Sequence, residues 1–321
     1  MGTFLLTIVL ILLSVPVLMV NWLCLALDNV FYPGFRKTEI KPPVFIIGMF
    51  RSATTLCQNL LKTDTEHFSY LKLGEQLFAP SVIQKKVINL IIRLDIKMNG
   101  SVYKVLSRID RLVFLTLENH HPMRLLTMEE DHFMFFNTLT APALWMLAPG
   151  VFKKLTVLKR YDREMPEYIK KFDMFYYKTC IKRHMYVYGR GRIYLSKSPP
   201  NSIRIRTLQD VFPGCRFVYM LRDPLYVTAS GICLFTQFRK MFLLNTNTEY
   251  MINVTLQMSD LFHHYPLVEC SDLKDKSMFI VTFNELTGDA YNAVHKLYNN
   301  LGLTVPDEFE EFLLRSKTMV A

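Results

Sequence analysis

Pro43-Val44-Phe45-Ile46-Ile47-Gly48-Met49-Phe50-Arg51-Ser52-Ala53-Thr54-Thr55-Leu56-Cys57-Gln58-Asn59-Leu60 is the stretch on which the fold of this chain turns. An apolar, β-branched run stops at Gly48, a short polar loop follows, and a helical pattern begins at Thr54. Strand, loop and helix in that order gather backbone N–H groups and a helix N-terminus around a phosphate-like anion. The nucleotide-binding loop G-x-x-x-x-G-K-S/T has the same layout. Here its second glycine is Ala53, its lysine position holds Thr54, and the cation has moved back to Arg51. Such a loop still calls for an anion but has lost the grip on a Mg-nucleotide.

Beyond this loop, short apolar runs at 44–47, 192–196, 216–221 and 278–283 read as buried strands. Helical patterns at 54–61, 202–211, 225–238 and 291–301 lie between and after them. Continuous apolar strands alternating with helices predict an α/β fold, a P-loop-like three-layer sandwich with a central parallel sheet. A mostly helical, aromatic-rich insertion is expected at about 82–190. Ligands of such sheets bind beyond the carboxyl ends of the strands, so the loops after Ile47, Ser196 and Leu221 should converge. Each carries a polar motif: Arg51-Ser52-Ala53-Thr54-Thr55, then Tyr194-Leu195-Ser196-Lys197-Ser198-Pro199-Pro200, then Arg222-Asp223-Pro224. Asp223 and Pro224 suit an N-cap and a first helical position, which sets Ser230 about two turns into a helix. Arg222 and Ser230 can then grip one phosphate from a strand end and a helix face.

Length and composition agree with a folded enzyme-sized unit. The 321 residues can bury one large core, and 50% hydrophobic content excludes a disordered chain. A net charge of +10 points to an anionic partner, whether nucleic acid, an acidic membrane face or a phosphorylated cofactor. No RNA-binding signature accompanies it, and no nucleic-acid partner is expected. No charged side chain occurs from Gly2 to Leu27, a segment long enough to span the hydrocarbon layer. We read residues 1–27 as an uncleaved transmembrane anchor, with a cleaved signal peptide or a buried soluble helix as the alternatives, 28–42 as a stem and 43–321 as the folded domain. Arg36, Lys37 and Lys41 would favour a cytosolic catalytic part. The sequons at Asn99 and Asn253 are no more than chance supplies, so orientation stays open. The six cysteines form no CxxC pair, and the histidines lack metal-ligand spacing.

Taken together, the motifs resemble the sulfotransferases that use 3′-phosphoadenosine 5′-phosphosulfate, in the branch with P-R-S-G-T-T, L-K-S-P and R-D-P signatures. Phe45 to Leu56 looks like that family's 5′-phosphosulfate loop, carrying over Arg51, Ser52, Ala53, Thr54 and Thr55 as donor-binding residues. Arg222 and Ser230, eight apart, are similar to its 3′-phosphate pair. Leu195-Ser196-Lys197-Ser198-Pro199 matches the L-K-S-P turn, and Met128 to Phe133 its acidic E-D-E-F stretch. The likeness spans residues 43–305. Ala53 departs from the family's glycine, so the loop must avoid a positive φ there or bear strain.

The resemblance implies in-line sulfuryl transfer to a hydroxyl acceptor on a carbohydrate, lipid or protein, without a metal. It implies Glu130 as the base, with Glu129, Asp131, His132 and Glu75 as rivals, and Lys197 on the bridging oxygen. Membrane-anchored relatives of this branch imply a Golgi or secretory location. Two other readings remain: a membrane-anchored P-loop kinase or NTPase, against which the missing lysine at Thr54 speaks, and a non-catalytic membrane protein keeping the fold. Phe133, Phe135, Phe136 and Trp145 are candidates to stack on an acceptor, or plain core.

Overall fold

The computed structural model describes residues 2–97, 99–114, 123–142, 144, 160–241 and 247–320. Five parallel strands form its centre: β1 (Lys41–Gly48), β2 (Phe68–Ser69), β3 (Ile193–Lys197), β4 (Arg216–Leu221) and β5 (Met278–Thr282). Their order across the sheet is β2-β3-β1-β4-β5. The chain leaves β1 for a neighbour on one side and later returns to pair on the other. That reversal opens a crevice at the carboxyl ends of β1, β3 and β4.

Alternate side chains of each strand serve opposite layers. Phe45, Ile47, Tyr194, Phe217 and Tyr219 point into one core, with α6 (Glu167–Val187) and α7 (Ile205–Val211) above them. Val44, Ile46, Leu195, Val218 and Met220 point into the other, beneath α2 (Thr54–Leu61) and α11 (Ala290–Leu301). Both faces are covered, which is why the strands read as unbroken apolar runs. The three-layer parallel sandwich is thus the fold. β2, two residues long, escaped the sequence reading because so short a run has no period. The helix expected at 202–211 is split: a 3₁₀ turn at Pro199–Ile203 precedes α7.

The first helix, α1, runs from Gly2 to Phe31, and its Ser14–Phe31 window is long and apolar enough to cross a membrane. Its last turns are docked on the domain. Asn21 is buried and donates to the Asn137 side chain at 2.7 Å. The buried Asp28 carboxylate accepts from Arg183 Nε at 2.8 Å. It also caps α4 (Val82–Lys97) by accepting from the Val82 and Ile83 amides. Residues 28–42 therefore do not stand off as a stem. Phe35, within a 3₁₀ turn at Pro33–Lys37, lies buried with the Arg183 guanidinium 4.0 Å from its ring centre. Lys41 and Pro42 already belong to β1.

Between β2 and β3 the chain forms α3 (Leu73–Phe78) and then, in the insertion, α4, α5 (Ser101–Phe114), a 3₁₀ segment at Asp131–Thr138 and α6. Toward the C-terminus α8 (Pro224–Met241) packs on α9 (Thr248–His264), and α10 (Phe283–Gly288) leads into α11.

Candidate active site

Gly48 ends β1 at φ 135°, and a Cβ there would sit 2.5 Å from the Met220 carbonyl. No other residue fits, so the chain turns sharply at this point. Ser202 locks the turn by accepting from the Gly48 amide at 2.9 Å. Arg51 and Ala53 then both take left-handed backbone, at φ 72° and 69°. The expectation that Ala53 avoids a positive φ or bears strain resolves to the second option, worth about 1 kcal/mol. Ala53 occupies the N-cap of α2 and supplies no side-chain acceptor, so the first-turn amides keep their pull on an anion. Thr54 and Thr55 line the cleft at this helix start.

Ser52 is turned the other way. It is fully buried, and its hydroxyl and its amide both go to the Met49 carbonyl, at 2.6 and 3.2 Å. It braces the loop from inside and does not line the cleft.

Arg51, Arg222 and Ser230 come together although 171 residues separate the two arginines. Arg51 Nε donates to Ser230 Oγ at 2.9 Å, and Arg222 Nη1 donates to the Arg51 carbonyl at 2.9 Å. The loop arginine and the Arg222–Ser230 pair therefore lie side by side. Asp223 caps α8 by accepting from the Leu225 amide at 2.8 Å, as its Asp-Pro start foretells. The Arg222 guanidinium lies 3.8 Å from the Phe283 ring centre, and His263 meets its carbonyl at 3.2 Å. Sequence reasoning missed Phe283 as a platform because it looks like the last residue of a strand. The contact arises because β5 ends one residue earlier and α10 begins there.

Across the cleft sits a buried charge pair. Lys197 Nζ donates to Glu130 Oε1 at 2.7 Å, and His132 Nδ1 lies 3.0 Å from Glu130 Oε2. Lys197 is fully buried, whereas Glu130 and His132 line the cleft. Lys197 therefore reaches the cleft through the carboxylate it holds. The rivals are placed elsewhere. Asp131 faces the core, accepting from Tyr177 at 2.5 Å and Tyr194 at 2.9 Å, and burial raises its carboxyl to about 6. Glu75 accepts from the Lys72 amide at the start of α3, with Lys85 3.9 Å away. Glu129 is buried and does not line the cleft.

Between these ends the cleft encloses about 240 Å³. Its walls are apolar: Phe50, Met123, Phe133, Leu234, Phe235 and Phe238. Leu234 and Phe238 follow Ser230 at four-residue steps on α8, so one helix face joins the cationic end to the apolar wall. Phe50 stacks on Phe262 and meets Phe235 edge-on. Of the four aromatics singled out, Phe133 lines the cleft and Phe135 is core, while Phe136 stacks on Phe133 and packs against the core. Trp145 lies outside the described residues. Among the described residues, no group of three or more His, Cys, Asp or Glu is placed to hold a metal.

These features can be set beside known proteins. Residues 42–307 match the model of the sulfotransferase family. The chain is 26% identical over 304 residues to the omega-hydroxy-beta-dihydromenaquinone-9 sulfotransferase Stf3 of Mycobacterium bovis, covering 93% of this chain and 72% of that protein. The Mycobacterium tuberculosis protein of the same name matches equally. In fold it is similar to sulfotransferase STF9 from Mycobacterium avium, with TM-score 0.69 and 17% identity over 92% of this chain and 72% of that one. Sulfotransferase STF1 from Mycobacterium tuberculosis gives 0.67 and 16%, over 93% and 77%. The curated relatives are mycobacterial and lend no support to a Golgi location. With its motifs, its crevice and a match over most of its length, the chain belongs to the sulfotransferase family.

Proposed function

We propose that this protein transfers a sulfuryl group from 3′-phosphoadenosine 5′-phosphosulfate to the hydroxyl of a lipid-like alcohol. One observation carries the reading. The cationic cluster of Arg51 and Arg222 with Ser230 opens onto the same apolar cleft as the Glu130 carboxylate.

The donor supplies an activated sulfuryl group when bound, and the residues at the strand ends suit its two anionic ends. Arg51, Thr54, Thr55 and the α2 amides are assigned to the phosphosulfate. Arg222 and Ser230 are assigned to the 3′-phosphate, the group that separates this donor from ATP. Negative charge passes to the leaving phosphate during transfer, and preorganised cations and N–H groups stabilise it there. Glu130 takes the proton of the acceptor hydroxyl. Lys197 fixes the carboxylate through its hydrogen bond, and so acts as a positioning residue. The aromatic wall of Phe50, Phe133, Phe235 and Phe238 favours an acceptor with an apolar body, and the Mycobacterium bovis relative is named for one such substrate, an omega-hydroxy-beta-dihydromenaquinone.

The test is calorimetry on the full-length chain in detergent with 3′-phosphoadenosine 5′-phosphate and with ATP. It is paired with transfer of labelled sulfate to a long-chain isoprenoid alcohol, a sterol and a sugar. Binding of the first nucleotide alone, with label on the isoprenoid alcohol, is expected. Binding of ATP alone would mean the kinase reading, and binding of neither a scaffold. Label on the sugar only would remove the lipid-like acceptor while leaving the donor assignment intact.

A further inference from the structure

The α4–α5 hairpin carries its apolar side outward. On α5, Val102, Val105, Leu106, Ile109 and Leu112 recur at helical spacing along one stripe and are 38–72% exposed. On α4, Leu90, Ile91 and Leu94 are exposed to a similar degree, and Ile96 reaches 71%. Single exposed apolar residues are ordinary, but a stripe this long on two adjoining helices calls for a cover.

Charge says what the cover is. The exposed charged residues of the hairpin are Lys86, Arg93, Lys97, Lys104, Arg108 and Arg111, all basic. Its two acids are both buried and both spent on backbone amides. Asp95 caps α5, accepting from Val102 at 2.7 Å and Tyr103 at 2.9 Å. Asp110 accepts from the Leu125 amide at 3.0 Å. A merely solvated helix usually mixes signs on its polar face. On α5 the apolar stripe, the Lys104–Arg108–Arg111 stripe and the inward Ser107–Asp110 side lie roughly a third of a turn apart. That is the cross-section of a helix lying in a lipid headgroup layer.

α1 packs on α4 and α4 on α5. Within the apolar Ser14–Phe31 window, Met19, Leu23 and Val30 are 59–72% exposed. Three exposed apolar surfaces thus adjoin, beginning at the helix already apolar enough to enter a bilayer.

We propose that the α4–α5 hairpin is a second membrane contact, seated in the headgroup layer of an anionic bilayer beside α1. The apolar stripe meets acyl chains, and Lys104, Arg108 and Arg111 meet anionic headgroups. Each basic side chain near such a surface is worth about fivefold in partitioning, so the three together give about a hundredfold preference for acidic lipid. This contact does not depend on the donor or acceptor assigned above.

The experiment is hydrogen exchange on the full-length chain in lipid nanodiscs, on disc-bound protein isolated by gel filtration. Discs of phosphatidylcholine are compared with discs that also contain phosphatidylglycerol. Exchange of the α5 amides at 101–112 should slow by about tenfold or more in the anionic discs. Lys104→Glu with Arg108→Glu should remove that lipid dependence, and Leu106→Asp with Ile109→Asp should remove protection in both lipids. Amides of β1 and β4 report whether each variant is folded; if one is not, the wild-type comparison decides alone. Equal exchange in the two lipids would overturn the proposal. So would protection that grows with the number of chains per disc, because the cover would then be a second copy.

Discussion

The two ends of the cleft are built on opposite plans. At the strand-loop end, Arg51 and Arg222 sit on exposed or half-buried loops, with hydrogen bonds from Arg51 to Ser230 and from Arg222 to the Arg51 carbonyl. At the far end, Glu130, His132 and Lys197 are each 5% exposed or less, with Lys197 and Glu130 in direct contact at 2.7 Å. Cations kept near solvent cost little to hold, and in the proposed donor site their removal should show in affinity. A carboxylate held by a buried lysine is suited to one geometry, and its removal should show in turnover and in folding. Glu130→Gln is therefore expected to lower sulfate transfer by roughly 10³-fold, with affinity for 3′-phosphoadenosine 5′-phosphate unchanged. It also leaves Lys197 buried without its counter-charge, a loss of about 3–5 kcal/mol in urea unfolding. Adding Lys197→Met should regain stability and leave transfer low. Recovery of transfer in that double variant would erase the contrast between the two ends.

Behind Glu130 the buried groups impose pH dependence of opposite signs. Burial raises the Asp131 carboxyl from 3.8 to about 6, against the pull of Tyr177, Ser196 and Tyr194. The folded state then holds a proton that the unfolded chain gives up, so this contribution is complete below about pH 4 and is lost as pH rises through 6. Burial also lowers His184 from 6.5 to about 4, and its Nε2 meets Ser69 Oγ at 2.8 Å. That contribution is complete above pH 6.5 and is lost as pH falls toward 4. Each spans about 3 kcal/mol, so between pH 4 and 6.5 they largely offset one another. Asp131→Asn should expose the histidine alone. Relative to wild type, the variant should gain about 3 kcal/mol between pH 4 and pH 7 in urea titrations. A constant gap across that range would mean that Asp131 keeps an ordinary carboxyl.

At the exposed end the expected effects are smaller and of a different kind. Arg222→Ala removes a charged hydrogen-bond donor and should weaken 3′-phosphoadenosine 5′-phosphate by about 10- to 100-fold in calorimetry. ATP, which lacks the 3′-phosphate, should be nearly unaffected. Arg222→Lys keeps the charge but loses the flat contact on Phe283, so partial recovery is expected. A fall in melting temperature matching that of Glu130→Gln would show that this end, too, is a structural pair.

The asymmetry between the ends also governs what the amino-acid sequence discloses. The loop end is local: strand, turn, cation and helix start lie within eighteen consecutive residues, and an Asp-Pro cap announces the second arginine. Its position could be read directly, although Ser52 could not be told apart from its neighbours. The side on which a loop hydroxyl falls depends on the turn, which at Gly48 is set by the Met220 carbonyl on another strand. The far end is assembled from distant pieces. A motif points to Glu130, but its pairing with Lys197, 67 residues away, depends on how the 3₁₀ segment at Asp131–Thr138 packs beside the end of β3, which no local pattern states. The docking of α1 left a fainter trace. Asn21 and Asp28 interrupt or end an apolar run, and both proved to be buried hydrogen-bonding groups. A polar residue at the edge of an apolar helix records a partner only when that partner is known.

Ala53 offers the finest test of the exposed end, because its effect is the smallest and its sign is contested. At φ 69° an alanine bears about 1 kcal/mol of left-handed strain, which glycine would not. Against this, glycine frees the unfolded chain by about 0.4–1 kcal/mol. It also removes a methyl that packs against the second core layer. Ala53→Gly should therefore stabilise the chain by no more than about 0.5 kcal/mol, within a degree or two of melting temperature. Nucleotide affinity should hold, since no cation, threonine or helix amide is altered. The opposite result, a loss above about 1 kcal/mol with weaker nucleotide binding, would mean that the alanine stiffens the loop for its anion. The exposed end would then be preorganised by its backbone as firmly as the buried end is by its charge pair, and the contrast between them would narrow to the depth at which each is set.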